Sequence, residues 1–129
     1  MTDEIYLVDT SAWVQLMRKD GDVAICERLR SLIASDLAAW CEIVRVELYH
    51  GARSESDFKS LREMEATLQR LEMSPAVWDK CAEVAVRCRQ KGKPLPTTDM
   101  MVYACAAVHG VTVFHRDQHF ETLVELDRA

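Results

Sequence analysis

Short apolar runs alternate with longer amphipathic stretches along this chain, and that alternation narrows the fold more than any other feature. Ile5 to Val8, Leu37 to Cys41 and Val111 to Phe114 are too short for helices and are bounded by cap or turn residues, so each reads as a buried strand. Leu71 to Met73, stopped by Ser74 and Pro75, reads as a weaker strand, and Leu123 to Leu126 as a further one. Between them the apolar residues recur at helical spacing. Val23, Cys26, Leu29, Leu32 and Ile33 form one stripe, and Val77, Cys81, Val84, Ala85 and Cys88 another. Thr10 or Ser11 is placed to cap a helix after the first strand. Ile43 to Gly51 reads as a helix closed by its glycine, and Ser54 caps a helix with the stripe Phe58, Leu61, Met64, Glu65 and Leu68. After the break at Lys91 to Pro96, Thr97 or Thr98 opens a helix that is apolar on all sides through Val108, hence a buried one. Apolar strands alternating with helices predict a three-layer α/β/α sandwich with a short parallel sheet of four to five strands.

The chain has 129 residues, the size of one domain with one core, and no repeat divides it, so residues 1–129 are read as a single domain. Asp3 and Glu4 precede an apolar run far too short for export or for spanning a bilayer, which predicts a cytoplasmic protein with no membrane association. Five cysteines, without a CxxC pair and mostly at apolar helical positions, read as reduced core residues. The formal net charge of −5 argues against broad, sequence-blind nucleic-acid binding but leaves room for an enzyme that acts on RNA.

In such a sheet, ligands bind beyond the carboxyl ends of the strands, where strand order reverses. Asp9 follows the first strand and Asp117 the run ending at Phe114. Glu47 shares a helix face with Ile43, Val44, His50 and Gly51, and a carboxylate on a partly apolar face tends to protonate or to find a cation. Asp99 opens the buried helix. Each acid has an ordinary alternative: a cap for Asp9, an ion pair with Arg45 or Arg53 for Glu47, a helix-dipole partner for Asp99, a turn or cap for Asp117. Jointly they are hard oxygen ligands that suit Mg²⁺ or Mn²⁺, and the chemistry such a set serves is phosphoryl hydrolysis. No histidine is demanded, so His50, His109, His115 and His119 are not primary candidates. His109, before Gly110, suits a helix C-terminus, and His115 flanks the site closely enough to touch substrate.

The segments Ile5-Tyr-Leu-Val-Asp9-Thr-Ser11-Ala, Val46-Glu47-Leu-Tyr-His-Gly51-Ala, Thr98-Asp99-Met-Met-Val-Tyr-Ala104 and Val113-Phe-His-Arg-Asp117-Gln-His-Phe120 resemble the four motifs of the PIN domain, and more narrowly those of VapC-like toxins of type II toxin–antitoxin systems. The match runs in order from near the first residue to Phe120. The resemblance implies a magnesium- or manganese-dependent endoribonuclease that cleaves cellular RNA, tRNA or rRNA foremost, and so inhibits translation and growth. It also implies a cognate VapB-like antitoxin, a homodimer and a toxin–antitoxin hetero-oligomer. By the same resemblance Asp9, Glu47, Asp99 and Asp117 are the catalytic metal ligands, and Ser11 is a supporting residue that orients metal or water. His115 departs from the pattern, standing where many relatives carry Thr or Ser.

Arg53, Lys91, Lys93, His115 and Arg116 are the candidate substrate contacts, positioned to hold phosphates beside the metal without reading bases. Arg87 and Arg89 lead into the same loop as Lys91 and Lys93. Tyr49 and Phe58, in the helix pair around residues 43–70, offer apolar surface to a dimer partner or an antitoxin segment. An acidic cleft would accept an antitoxin arginine, whose guanidinium forks onto carboxylates. Two other classes remain open from the residues alone: a non-catalytic α/β interaction module whose acids are caps, and a Mg-dependent phosphatase. An aspartyl-nucleophile phosphatase would want a second Asp where this chain has Ser11.

Overall fold

A computed structural model describes residues 4–128; Asp3, used above in the argument about export, lies outside them. The element order is β1 (Tyr6–Val8), α1 (Thr10–Met17), α2 (Val23–Ala34), β2 (Ala38–Trp40), α3 (Glu42–Gly51), α4 (Glu55–Thr67), β3 (Gln69–Arg70), α5 (Pro75–Gln90), α6 (Thr97–His109), β4 (Thr112–Phe114) and α7 (His119–Arg128). The four strands form one sheet in the order β3-β2-β1-β4, with every pairing parallel. Tyr6 lies opposite Ala38 on one side and opposite Thr112 on the other. The chain therefore winds outward from β1 to β3 and then returns across the sheet to β4. Strand order reverses at the boundary between β1 and β4, which is where a sheet of this kind opens a crevice.

The helices pack mainly in two groups, α1 to α4 and α5 to α7, with α3 also meeting α6. Right-handed crossovers put them on opposite faces of the sheet, which gives the three layers the alternation predicts. Leu7, Val8 and Ala38 to Trp40 are buried, because parallel strands covered on both faces have no solvent side. Trp13 and Trp40 are each 1% exposed, and the Trp13 indole N–H donates to the Val8 carbonyl at 3.0 Å, fastening α1 to the end of β1. Among the described residues no helix is long and apolar enough to cross a membrane. All five cysteines are buried and unpaired by disulfides, as read from their positions.

Four local expectations are corrected. Leu123 to Leu126 is not a strand but the middle of α7, where buried Phe120 and Leu123 and half-buried Val124 recur at helical spacing; a four-residue run is too short to separate the two periods. The third strand is Gln69–Arg70 rather than Leu71 to Met73, although the Leu71 amide still donates to Trp40 at 2.9 Å. It is an edge strand, and edge position explains its polar residues. Gly51 is the last helical residue of α3, with Ala52 the C-cap in extended backbone. The cap of α1 is Asp9, not Thr10 or Ser11.

Asp127 binds the second helix group together. It accepts from Lys80 Nζ at 2.7 Å, from the Tyr103 hydroxyl at 2.5 Å and from Arg87 at 3.4 Å. Burial pushes its carboxyl up, but the hydrogen bonds from Lys80 and Tyr103 and the nearby cations prevail and hold it below the ordinary range. A depressed folded pKa contributes stability above the unfolded value that is lost as pH falls through the folded one. Asp127→Asn is therefore expected to melt below the wild type at neutral pH, with the gap narrowing once the solution is acidified below about 4, the ordinary Asp value. Thermal melts across that range check it; a constant gap would mean that the charge contributes nothing.

Candidate metal centre

Asp9 emerges from the end of β1, in the crevice between β1 and β4. Its backbone N–H donates to the Phe114 carbonyl at 2.9 Å, and its carboxylate accepts from the Ser11 amide at 3.0 Å. Although only 4% exposed, it has no cation beside it among the described residues. Glu47 reaches the same region from α3. Its partner is neither Arg45, which pairs with Glu42 and Glu65, nor Arg53; instead the Thr10 hydroxyl donates to Glu47 Oε1 at 2.9 Å. Asp99 approaches from the first turn of α6. Asp117 sits just before α7 and does act as its cap, since the His119 amide donates to Asp117 Oδ1 at 3.0 Å.

His119 joins the last two acids. Its Nδ1 lies 2.8 Å from Asp99 Oδ2 and 3.1 Å from Asp117 Oδ1. Asp99, Asp117 and His119 each offer a ligand atom, all within 4.8 Å of one another. Setting His119 aside is therefore corrected: it belongs to the cluster. Thr10 is the second residue that sequence reasoning missed. Both stand beside an acid already singled out, and adjacency to Asp9 and Asp117 was the only available signal.

Asp9 and Glu47 stand outside the group whose ligand atoms lie within 4.8 Å, but the acids lie close enough to feel one another's charge. Burial pushes the Glu47 carboxyl up, opposed by the Thr10 hydrogen bond and reinforced by the charges of Asp9 and Asp99. Burial likewise raises Asp99, opposed by the His119 hydrogen bond and reinforced by Asp117 and Asp9. The hydrogen bond to Asp99 lifts His119 above its usual value, which favours the protonated form that can pair with both carboxylates. Carboxylates that repel one another in a half-buried crevice fit a hard divalent cation, and mixed oxygen and imidazole donors also suit Mn²⁺.

The remaining sequence-derived candidates divide. The Ser11 hydroxyl accepts from the Arg116 amide at 2.9 Å, so it fixes the loop that carries Asp117. His115 Nδ1 accepts from the Asp117 amide at 3.1 Å, and its ring packs on Phe120 with centroids 5.1 Å apart; the imidazole thus performs a hydroxyl-like task of holding Asp117. The Arg116 guanidinium faces Asp22 at 3.6 Å on the exposed surface. Arg53, Lys91 and Lys93 are exposed, with no ion-pair partner among the described residues.

Raised carboxyl pKa values have the opposite linkage to Asp127. A folded pKa above the unfolded one costs stability at every pH above it, and protonation relieves the cost. Glu47→Gln is thus expected to raise the melting temperature of metal-free protein at neutral pH. Mg²⁺ is expected to stabilise the wild type there, with the shift shrinking on acidification because protons compete for Glu47 and Asp99. Melting curves with and without Mg²⁺ at several pH values test both; a metal shift independent of pH would remove these acids from the binding set.

Comparison with known proteins agrees with this fold. A profile of the PIN domain matches residues 6–126. The chain is 30% identical over 124 residues to VapC ribonuclease Mb1587 of Mycobacterium bovis, covering 93% of this chain and 92% of that one. It is 29% identical over 126 residues to ribonuclease VapC21 of Mycobacterium tuberculosis, covering 95% and 88%. Among solved structures, VapBC2 from Rickettsia felis bound to a promoter DNA fragment superposes with a TM-score of 0.75 at 19% identity, over 92% of this chain and 91% of that one. VapBC-1 from nontypeable Haemophilus influenzae superposes at 0.75 and 18% identity, over 94% and 92%. A profile match across nearly the whole chain establishes that the protein belongs to the PIN domain family.

Proposed function

We propose that this protein is a metal-dependent endoribonuclease, the toxin of a toxin–antitoxin pair, acting in the cytoplasm on tRNA or rRNA to halt translation. The observation that carries the reading is the cluster of Asp99, Asp117 and His119, whose ligand atoms lie within 4.8 Å of one another, with Glu47 raised by burial and by the charges of Asp9 and Asp99, and Asp99 by burial and by those of Asp117 and Asp9. Capping accounts for Asp9 and Asp117, but not for Glu47, which among the described residues caps nothing and has no cationic partner. The relatives named as ribonucleases support the reaction class, and those solved as VapBC assemblies support an antitoxin partner.

Asp9, Glu47, Asp99 and Asp117 would hold Mg²⁺ or Mn²⁺, and His119 stands within ligand reach. A divalent cation bound there supplies a Lewis acid at the scissile phosphate and activates water as the nucleophile. The protein's own contributions are positional. Thr10 holds Glu47, while His115 and Ser11 hold the loop of Asp117, so that the acids need little rearrangement on binding. Arg53, Lys91, Lys93 and Arg116 supply the positive charge along which an RNA backbone can run. Inhibition follows from the same charges: an antitoxin arginine can fork onto the carboxylates in place of the metal. Homodimerisation, and a hetero-oligomer with the antitoxin, complete the proposal.

Mapping new RNA 5′ and 3′ ends after induced expression tests it. Cleavage at discrete sites is expected for the wild type, absent from Asp9→Asn, and suppressed by co-expressed antitoxin. Identical end profiles for wild type and variant would sink the nuclease reading.

A further inference from the structure

A cavity of about 430 Å³ lies between the end of α5 and the start of α6, lined by Ala85, Cys88, Arg89, Lys93, Pro94 and Met100, with Gly92 at its lip. Its size falls in the range of small-molecule sites. The floor is apolar: Cys88 and Met100 are buried, at 1% and 5% exposure. The rim is cationic: Arg89 and Lys93 are exposed and have no ion-pair partner among the described residues, whereas Arg87 in the preceding turn is bound to Glu83 and Asp127. No carboxylate and no histidine lines it, which is the reverse of the acidic crevice.

The backbone keeps this opening clear. Lys93 N–H donates to the Cys88 carbonyl at 2.8 Å and Gly92 N–H to Arg89 at 3.1 Å, a helix ending that places Gly92 at φ +65. A Cβ built on Gly92 would meet nothing within 4 Å, so the lip is open. Met100, in the floor, directly follows Asp99, so the cavity lies against the same first turn of α6 that supplies a site acid.

An apolar floor under an exposed guanidinium and an ammonium suits a flat ring that carries an anion. A metal ion would find no hard ligand, and a purely apolar ligand would leave the two cations without a counter-charge. We propose that this cavity is a subsite for one unstacked nucleotide of the RNA, flanking the cut, with its base on the Cys88 and Met100 floor against Arg89 and its phosphate at Lys93. The proposal rests on the nuclease reading and adds to it a site that selects substrate. It implies cleavage within a loop, bulge or other single-stranded segment, since a paired base cannot enter; proteins read unstacked bases by such contacts, including stacking on arginine planes.

The test has two arms. Metal-free protein with labelled methionine methyl groups is titrated with the four nucleoside 5′-monophosphates and with ribose 5-phosphate. The Met100 methyl is expected to shift, with a nucleotide binding about tenfold more tightly than the baseless control, and Arg89→Ala or Lys93→Ala is expected to weaken it by a similar factor. Equal binding of ribose 5-phosphate, or a silent Met100, overturns the subsite. In the second arm a cleaved single-stranded RNA is scanned with abasic substitutions. One position is expected where loss of the base raises KM about tenfold in the wild type but not in Arg89→Ala/Lys93→Ala, with kcat little changed. Monophosphate binding without such a position would mean a free-nucleotide site and overturns the RNA assignment. Absence of any cleavage counts against the nuclease reading instead, and the methyl response decides the subsite by itself.

Discussion

Asp99→Asn is expected to fold, to melt no lower than the wild type without metal, and to cleave RNA about 10³-fold more slowly, the equivalent of several kcal/mol of lost transition-state stabilisation. The two effects have one cause. Asp99 is held in a half-buried crevice where burial and the charges of Asp117 and Asp9 disfavour its ionised form. An amide of the same shape relieves that repulsion, gaining stability in the metal-free state, and removes the charge that would bind the cation. A functional site that is destabilised by its own design loses its function when it is relaxed. The measurement pairs a melting curve in chelator with single-turnover cleavage in Mg²⁺. If the variant cleaves within threefold of the wild type, roughly 0.7 kcal/mol of barrier, Asp99 is no metal ligand. If it unfolds, the charge was supporting the fold rather than serving the site.

Trp13→Ala is expected to produce the largest loss of stability among single core substitutions in α1, about 3–5 kcal/mol. The indole is 1% exposed and lies against the end of β1, and its N–H satisfies the Val8 carbonyl at 3.0 Å. Truncation leaves both a cavity and an unpartnered buried carbonyl. Trp13→Phe separates the two contributions, since it keeps most of the apolar volume and loses only the hydrogen bond, a cost of about 1–3 kcal/mol for a group left unsatisfied. Urea unfolding of the three proteins gives the ladder. Equal losses for Ala and Phe would mean that the hydrogen bond alone matters, and a loss below about 1 kcal/mol for Ala would mean that the site collapses to fill the space. Asp9 follows Val8 directly, so any distortion from Trp13→Ala is transmitted to the acidic crevice.

What the sequence conveyed followed from how strongly each segment was constrained. Ile5 to Val8 and Leu37 to Cys41 are buried on both faces, and no alternative fits their length, so β1 and β2 were legible within a residue or two. Gln69–Arg70 was not, because an edge strand faces solvent and carries no apolar mark. Leu123 to Leu126 was ambiguous because four residues span barely one helical turn, and only packing of Phe120 and Leu123 against the core settles the period. At the site, the acids stood out because charge is unexpected at strand ends and on apolar helix faces. His119 did not, since an imidazole at the start of a helix has no anomaly of its own; its role arises only when α6 brings Asp99 to 2.8 Å from it. Thr10 is the same case, an ordinary helix residue until α3 presents Glu47 to its hydroxyl.

The parallel pairing of β1 with β4 also dictates when the crevice can form. Tyr6 and Thr112 are far apart in sequence, and the crevice exists only once they are side by side. Contacts so distant in sequence form late, after loop-closure entropy has been met by the helices and strands between them. A nascent chain emerging from the ribosome can therefore complete β1, β2 and most of its helices while Asp99, Asp117 and His119 are still being added. The sheet order delays assembly of the acidic crevice until β4 and the segment that carries Asp117 have been made.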